Sequence, residues 1–187
     1  MENPQLKPWK ILKSRYPLKD RWLTVRADTC KTAEGFRVHP YYILEYADWV
    51  DVVCFTSQKK ILLTKQYRHG RQEINWEIPC GAIDPADPSP LHAARRELLE
   101  ETGFSSEHFE LISTYSANTA THANIIYCFA AFDINKVAQP LRHPTEIIQT
   151  HLVSLPYLFK LINGHKISQA AHLAGILLTL RRKGWLK

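Results

Sequence analysis

Glu97, Glu100 and Glu101 place three carboxylates within five residues, and that crowding asks for a chemical reason. An α-helix turns about 100° per residue, so in a helix these side chains lie within roughly 100° of one another on one face. Like charges three or four residues apart repel by roughly 0.2–0.5 kcal/mol per pair. A segment selected only to be helical would space the glutamates or intersperse lysines. Mg²⁺ is held by carboxylate oxygens and brings phosphates with it, so a shared hard cation is the chemistry this pattern suggests. The bland alternative is a solvated acidic face, and the flanking residues decide between the two.

Those flanks predict a helix with both ends marked. Ser89 suits the N-cap, and Pro90 fits the first helical position, where its missing N–H costs nothing. Gly103 follows the last turn and can take the left-handed conformation that ends a helix. Leu91, Ala94, Leu98 and Thr102 recur at helical spacing and form the stripe expected to be buried. Glu97 and Glu100 lie outside that stripe, and Glu101 borders it. Arg96, four residues before Glu100, can pair with it and hold one carboxylate in place.

Gly81, Arg96, Glu97, Glu100, Glu101 and Gly103, with Leu98 and Phe104 at apolar positions, resemble the Nudix hydrolase signature. In that signature a glycine loop leads into a helix reading Arg-Glu-x-x-Glu-Glu-x-Gly. The loop half departs from it: the signature's first glutamate is Asp87 here, and one extra residue separates it from Arg96. Asp87-Pro88-Ser89-Pro90 fits a slightly longer entry loop. The resemblance runs from about residue 49 to residue 176. Gln66-Tyr67-Arg68-His69-Gly70 and Trp76-Glu77-Ile78-Pro79-Cys80-Gly81 look like segments that precede the box in the ADP-ribose pyrophosphatase branch. The resemblance implies an α/β/α sandwich with a mixed sheet. It also implies an N-terminal antiparallel β-unit over residues 1–46, of the kind that commonly joins homodimers, followed by a catalytic domain over 47–187.

The elements needed to position such a helix are legible as alternating and apolar runs. Residues 9–16, 22–28 and 36–46, with a turn at 32–35, read as the small antiparallel unit. Strands are expected at 50–56, 61–67, 74–79, 109–115, 125–132 and 147–153. Two helices close the chain; the last, 168–182, is apolar over most of its circumference and is expected to be well buried. Strands, helix, strands and helices in that order suggest a mixed sheet covered by helices. The hydrophobic content of 45% excludes a disordered chain, and the net charge of +6 favours an anionic partner, such as a polyphosphate ester. Cys30, Cys54, Cys80 and Cys128 show no Cys-x-x-Cys pair, and the N-terminus reads as no secretory signal, so reduced thiols in the cytoplasm are expected. No apolar run approaches a membrane span.

The branch hydrolyses nucleoside diphosphate sugars, typically ADP-ribose to AMP and ribose 5-phosphate, with Mg²⁺ or Mn²⁺. By resemblance, Glu97 and Glu101 are direct metal ligands, Glu100 shares a metal or orients water, and the main-chain carbonyl of Cys80, just before Gly81, completes one metal's shell. Arg96 orients the glutamates. The Cys80 thiol is then read as a small buried hydrophobe. Arg68 is placed to contact phosphate or the terminal ribose, with a surface ion pair the equal alternative. Glu77 is placed near substrate or pairs with Arg68 or Arg71. Trp9, Trp22, Trp49 and Trp76 are candidates to stack on a base, each more readily explained as core or dimer interface. Downstream, Ser116-Ala117-Asn118-Thr119-Ala120 lacks the branch's prolines, though Asn118 and Asn124 remain. In 141–146 only Glu146 is acidic, and Pro144 occupies the place of the branch's base. The general base stays open between Glu100 and Glu146.

Nine histidines are scattered without the spacing of a zinc site. Arg181-Arg182-Lys183 reads as a solvated helix end. A non-catalytic nucleotide-binding regulator and an RNA-binding protein are the readings from other classes. The first usually lacks a metal-binding glutamate, and the second would show a nucleic-acid-binding motif. Other nucleotides, including dinucleoside polyphosphates, NADH, nucleoside triphosphates and cap-like dinucleotides, would undergo the same chemistry. The expected partners are a nucleotide-sugar substrate and a second copy of the chain, not nucleic acid or a membrane.

Overall fold

The computed structural model describes residues 6–141 and 145–186. Residues 142–144, and with them Pro144, lie outside the described residues. The chain divides into two units, one of residues 1–46 with 118–124 and one of 47–117 with 125–187.

In the first unit, β1 (Lys10–Lys19), β2 (Thr24–Lys31) and β3 (Arg37–Glu45) form an antiparallel sheet in that order. The expected turn at 32–35 is present, with Gly35 at φ +95°, a conformation that favours glycine. Asp28 on the central strand is buried, and its charge is answered by Arg26 Nε at 3.1 Å and the Ser14 hydroxyl at 2.6 Å. Arg26 also pairs with Glu45. Segment 118–124 joins this unit by backbone bonds: Leu44 N–H donates to Thr121 and Ala123 N–H to Leu44. Asn118, singled out in the sequence, opens that segment's turn by accepting from Ala120 N–H at 3.0 Å.

The second unit is built on a seven-stranded mixed sheet. Its strands are β4 (Trp49–Phe55), β5 (Ile61–Arg68), β6 (Glu73–Glu77), β7 (Cys80–Ala82), β9 (His108–Tyr115), β10 (Ile126–Phe132) and β12 (Gln149–Val153). The order is β12-β5-β4-β10-β9, with β6 on β5 and β7 on β4. β4 and β10 run parallel, while the other pairs are antiparallel. Short β8 (Phe104–Ser105) and β11 (Asn135–Lys136) pair separately. Helix α1 (Pro90–Thr102) covers one face, and α2 (Leu155–Asn163) and α3 (Ala170–Arg182) cover the other.

Side-chain alternation along β4 makes the sandwich. Val50, Val52 and Cys54 pack with Ala93, Ala94 and Leu98 of α1, while Val53 and Phe55 pack with Leu158, Leu161, Ile176 and Leu180. A central strand buried on both faces needs apolar residues at both parities, and β4 is buried throughout except at Trp49. The α/β sandwich expected from the sequence is the fold observed.

Two expectations need correction. Helix α3 buries one face, His172, Gly175, Ile176, Thr179 and Leu180, while Leu177 and Leu178 are exposed. A helix lying on a sheet buries only the stripe that faces it, and apolar residues elsewhere do not bring a second layer. The last strand starts at Gln149, with Ile147 outside it and exposed, because the pairing with β5 ends at Gln149↔Lys65.

Candidate active site

Helix α1 carries its own start and stop. The Ser89 hydroxyl accepts from His92 N–H at 3.2 Å. Gly103, at φ +72°, donates its N–H to the Leu99 carbonyl at 2.8 Å. These ends set the helix phase, and the phase turns Leu98 and Thr102 into the core and aims Glu97 and Glu101 at β7. Glu101 is buried, with the Cys80 N–H donating to its Oε2 at 3.3 Å. A solvated acidic face is therefore not what this helix presents.

Arg96 is the hub that organises the carboxylates. Its guanidinium donates to Glu97 Oε1 at 2.7 Å, Glu100 Oε2 at 3.1 Å, the Ala82 carbonyl at 3.0 Å and Asp87 Oδ2 at 2.8 Å. Asp87, at the departure from the signature, receives Arg96 at both oxygens and His92 Nδ1 at 3.0 Å. Those bonds, chiefly the one from Arg96, hold its carboxyl far below the usual carboxylate range. Asp87 thus fastens the entry loop to the helix through Arg96. The Asp-to-Arg contact spans the inserted residue, and nothing in the local spacing announced it.

Burial pushes the Glu97 carboxyl up to about 7, with Glu100 and Glu146 adding to the rise and Arg96 opposing it. Burial also pushes Glu101 well above the usual range, with Glu97 and Glu146 adding to the rise. Glu146 is exposed, yet its charge is felt by both. Like-charged carboxylates in a dry site retain protons unless a cation joins them. Their donors are all hard oxygens, which suit Mg²⁺ or Mn²⁺, so the residues present fit a divalent cation.

Gly81 leaves the space this requires. A Cβ there would stand 2.2 Å from the Glu97 carboxylate. The displaced carboxylate is already tethered to Arg96, so Gly81→Ala should disturb the site more than the fold. The expected result is a fall in kcat of roughly 10²-fold, the scale of an ångström-level misplacement, with a melting temperature close to wild type. Steady-state rates beside a thermal melt check it, and an alanine variant of unchanged kcat would remove the steric argument.

Arg68 and Glu77 are brought together as a two-pronged pair, Nε to Oε1 at 2.9 Å and Nη2 to Oε2 at 2.6 Å. Gln66 Nε2 adds a bond to Glu77 Oε2 at 3.3 Å. The bond to Glu77 raises the Arg68 pKa still further, so it is a permanent cation. Both residues line a cleft of about 390 Å³ beside Cys80, with Trp49, Arg71 and Gln169 on its walls. Trp49 is thereby separated from the other tryptophans. Trp76 packs on the core, and Trp22 is exposed with Arg21 over its ring at 4.4 Å. Trp9 sits edge-on to Tyr41.

A helix setting one buried and one half-buried carboxylate against a glycine strand, on a sheet covered by helices on both faces, defines a class. Residues 45–171 match the NUDIX domain family, and the chain belongs to that family. Residues 9–44 match the nucleoside diphosphate sugar hydrolase N-terminal domain. Over 127 residues the chain is 26% identical to a methanol dehydrogenase activator of Bacillus methanolicus, covering 68% of each. Over 129 residues it is 25% identical to an ADP-ribose pyrophosphatase of Bacillus subtilis (strain 168), covering 68% of this chain and 69% of that one. A crystal structure of an ADP compounds hydrolase superposes with a TM-score of 0.84 at 21% identity, covering 98% of this chain and 100% of that one. That likeness shows the fold. The chain is a Nudix hydrolase whose relatives include ADP-ribose pyrophosphatases.

Proposed function

We propose that this Nudix hydrolase cleaves the pyrophosphate bond of a nucleoside diphosphate sugar, ADP-ribose first, releasing a nucleoside monophosphate and a sugar phosphate. The observation that carries the reading is the pairing of buried Glu101 with half-buried Glu97 beside a cleft walled by Arg68, Arg71 and Trp49. The match of residues 9–44 and the pyrophosphatase relatives support the choice of substrate class.

Glu97 and Glu101 would hold Mg²⁺ or Mn²⁺, with Glu100 and the Cys80 carbonyl completing the set. When bound, the ion neutralises the pyrophosphate oxygens and lowers the pKa of a bound water. Arg96 keeps Glu97 and Glu100 in fixed rotamers, so little reorganisation is needed as charge develops. Glu100 or Glu146 takes the proton of the attacking water. Glu77 holds Arg68 facing the cleft as a phosphate contact, and Gly81 leaves the backbone bare where substrate approaches. Trp49 offers a flat apolar surface for the base.

The test is a product-resolved screen of ADP-ribose, GDP-mannose, NADH, diadenosine polyphosphates and nucleoside triphosphates with Mg²⁺ and Mn²⁺. The expected result is highest kcat/KM on ADP-ribose with AMP as product. Exclusive turnover of triphosphates would overturn the substrate assignment while leaving the hydrolase assignment standing.

Residues 1–46 are proposed as a dimerisation unit. Every residue of β1 is exposed, including Ile11, Leu12, Tyr16 and Leu18, and among the described residues β1 pairs only with β2. An unpaired edge of this length is normally covered, and a second copy is the cover that we infer. Leu12→Glu with Leu18→Glu should weaken dimerisation at least roughly 30-fold, the effect of losing central apolar contacts. Light scattering at fixed concentration reads it, and a wild-type monomer would end the idea. All four cysteines are free, which supports a cytoplasmic setting.

A further inference from the structure

Strand β4 reads Trp-Val-Asp-Val-Val-Cys-Phe, an apolar run interrupted by a single charge. That charge, Asp51, is 0% exposed. The Tyr115 hydroxyl contacts its Oδ2 at 2.8 Å, while Oδ1 has no hydrogen-bond partner among the described residues. His172, on α3 and also 0% exposed, has a hydrogen-bond partner at neither ring nitrogen among the described residues. Buried polar groups are almost always hydrogen-bonded, so two that face each other at ion-pair distance without a hydrogen bond leave room for something that joins them.

The third member comes from register. Cys80 lies opposite Asp51 in the β4–β7 pair, and residues opposite one another in an antiparallel pair share a face. A carboxylate oxygen of Asp51, the Cys80 Sγ and a ring nitrogen of His172 all lie within 4.8 Å of one another. His172 Nε2 stands 3.6 Å from Asp51 Oδ1, beyond hydrogen-bond reach. Bonds of about 2.0 Å to nitrogen and oxygen and 2.3 Å to sulfur in a tetrahedron put ligand atoms roughly 3.3–3.6 Å apart. The carboxylate and imidazole, at 3.6 Å, stand a few tenths of an ångström beyond the spacing of an oxygen–nitrogen pair, and the thiol lies within 4.8 Å of both, so an ion would draw the three together.

We propose that Asp51, Cys80 and His172 form a second metal site, taking a Zn²⁺-class ion with an open fourth position. Thiolate and imidazole donors select such an ion over Mg²⁺. Binding releases the Cys80 thiol proton to solvent, and the thiolate and carboxylate charges then cancel the two charges of the ion. A neutral complex is what a buried site tolerates. Tyr115 fixes the carboxylate from outside, as ligating carboxylates generally require. Cys80 also lines the cleft described above, which supplies the entry path and a water for the fourth position. The site differs from the α1 carboxylates in donors and does not depend on the substrate proposed above. Cys80 touches both, because its backbone N–H donates to Glu101.

The experiment is a Co²⁺ titration of the full chain, stripped with chelator and then held in saturating Mg²⁺ to occupy the α1 carboxylates. One equivalent of Co²⁺ should produce a thiolate-to-cobalt charge-transfer band with tetrahedral visible bands, both displaced by Zn²⁺. Cys80→Ser should abolish the charge-transfer band, and Tyr115→Phe should weaken binding about 10- to 100-fold. Glu97→Gln should keep the bands while losing hydrolysis, which separates this site from the Nudix site. Circular dichroism confirms folding of each variant, and if Cys80→Ser does not fold, loss of the tetrahedral bands in His172→Gln is the required result. A folded wild type without the charge-transfer band overturns the proposal, as does a band that survives in folded Cys80→Ser.

Discussion

Glu97→Gln and Glu101→Gln should each lower kcat by roughly 10³-fold or more at saturating Mg²⁺, about 4 kcal/mol of barrier. Glutamine keeps the shape and removes the charge that would hold a cation. The Glu97 charge raises the proton affinity of Glu101, and burial raises both, so neutralising one relieves repulsion and the fold should survive. Glu101 is the more demanding test because its Oε2 also accepts from Cys80 N–H, a bond that a glutamine oxygen can keep. Activity with Mg²⁺, a metal-binding isotherm and a thermal melt on the same preparation separate loss of site from loss of fold. Wild-type kcat in either variant would remove the basis for placing the metal on α1.

Metal affinity should fall steeply as pH drops below about 7, because a cation entering this site must displace the proton that burial places on Glu97. One proton released corresponds to about a tenfold loss per pH unit. Metal-free stability runs the other way. The folded carboxyl titrates near 7 against an ordinary value of 4.5, so between those values the folded state binds more protons than the unfolded chain. Stability then declines as pH rises through this window and levels off above it. Burial raises Glu97 most, Arg96 opposes the shift, and Glu100 and Glu146 add to it, while Glu97 in turn raises Glu101. The Glu97 side chain is 14% exposed, and the full penalty is on the order of 3 kcal/mol. Melts of chelator-treated protein across the window should show a falling midpoint that Glu97→Gln flattens and that saturating Mg²⁺ offsets. A metal affinity independent of pH across the same range would contradict the burial argument.

The sequence by itself determined what is local. The carboxylates, their arginine and both helix ends lie within one short stretch, where a fixed turn per residue converts spacing into geometry. The same holds for the strands, whose apolar runs register burial on one or both faces. The tertiary structure alone decided what depends on register and strand order. The β5–β6 register sets Arg68 opposite Glu73 and Glu77 opposite Thr64, so Arg68 meets Glu77 only by reaching along the shared face of the paired strands. Asp87 meets Arg96 because the entry loop folds back on the helix, a contact that no periodicity encodes. Helix α3 is apolar nearly all round in sequence but buries one side, because a single sheet face is all it meets. Asp51, Cys80 and His172 come from three distant segments, and only the β4–β7 register and the packing of α3 on β4 assemble them. A histidine without ligand spacing and a cysteine without a partner are uninformative in the linear chain, since contacts between distant segments carry no signature until the sheet sets which residues share a face.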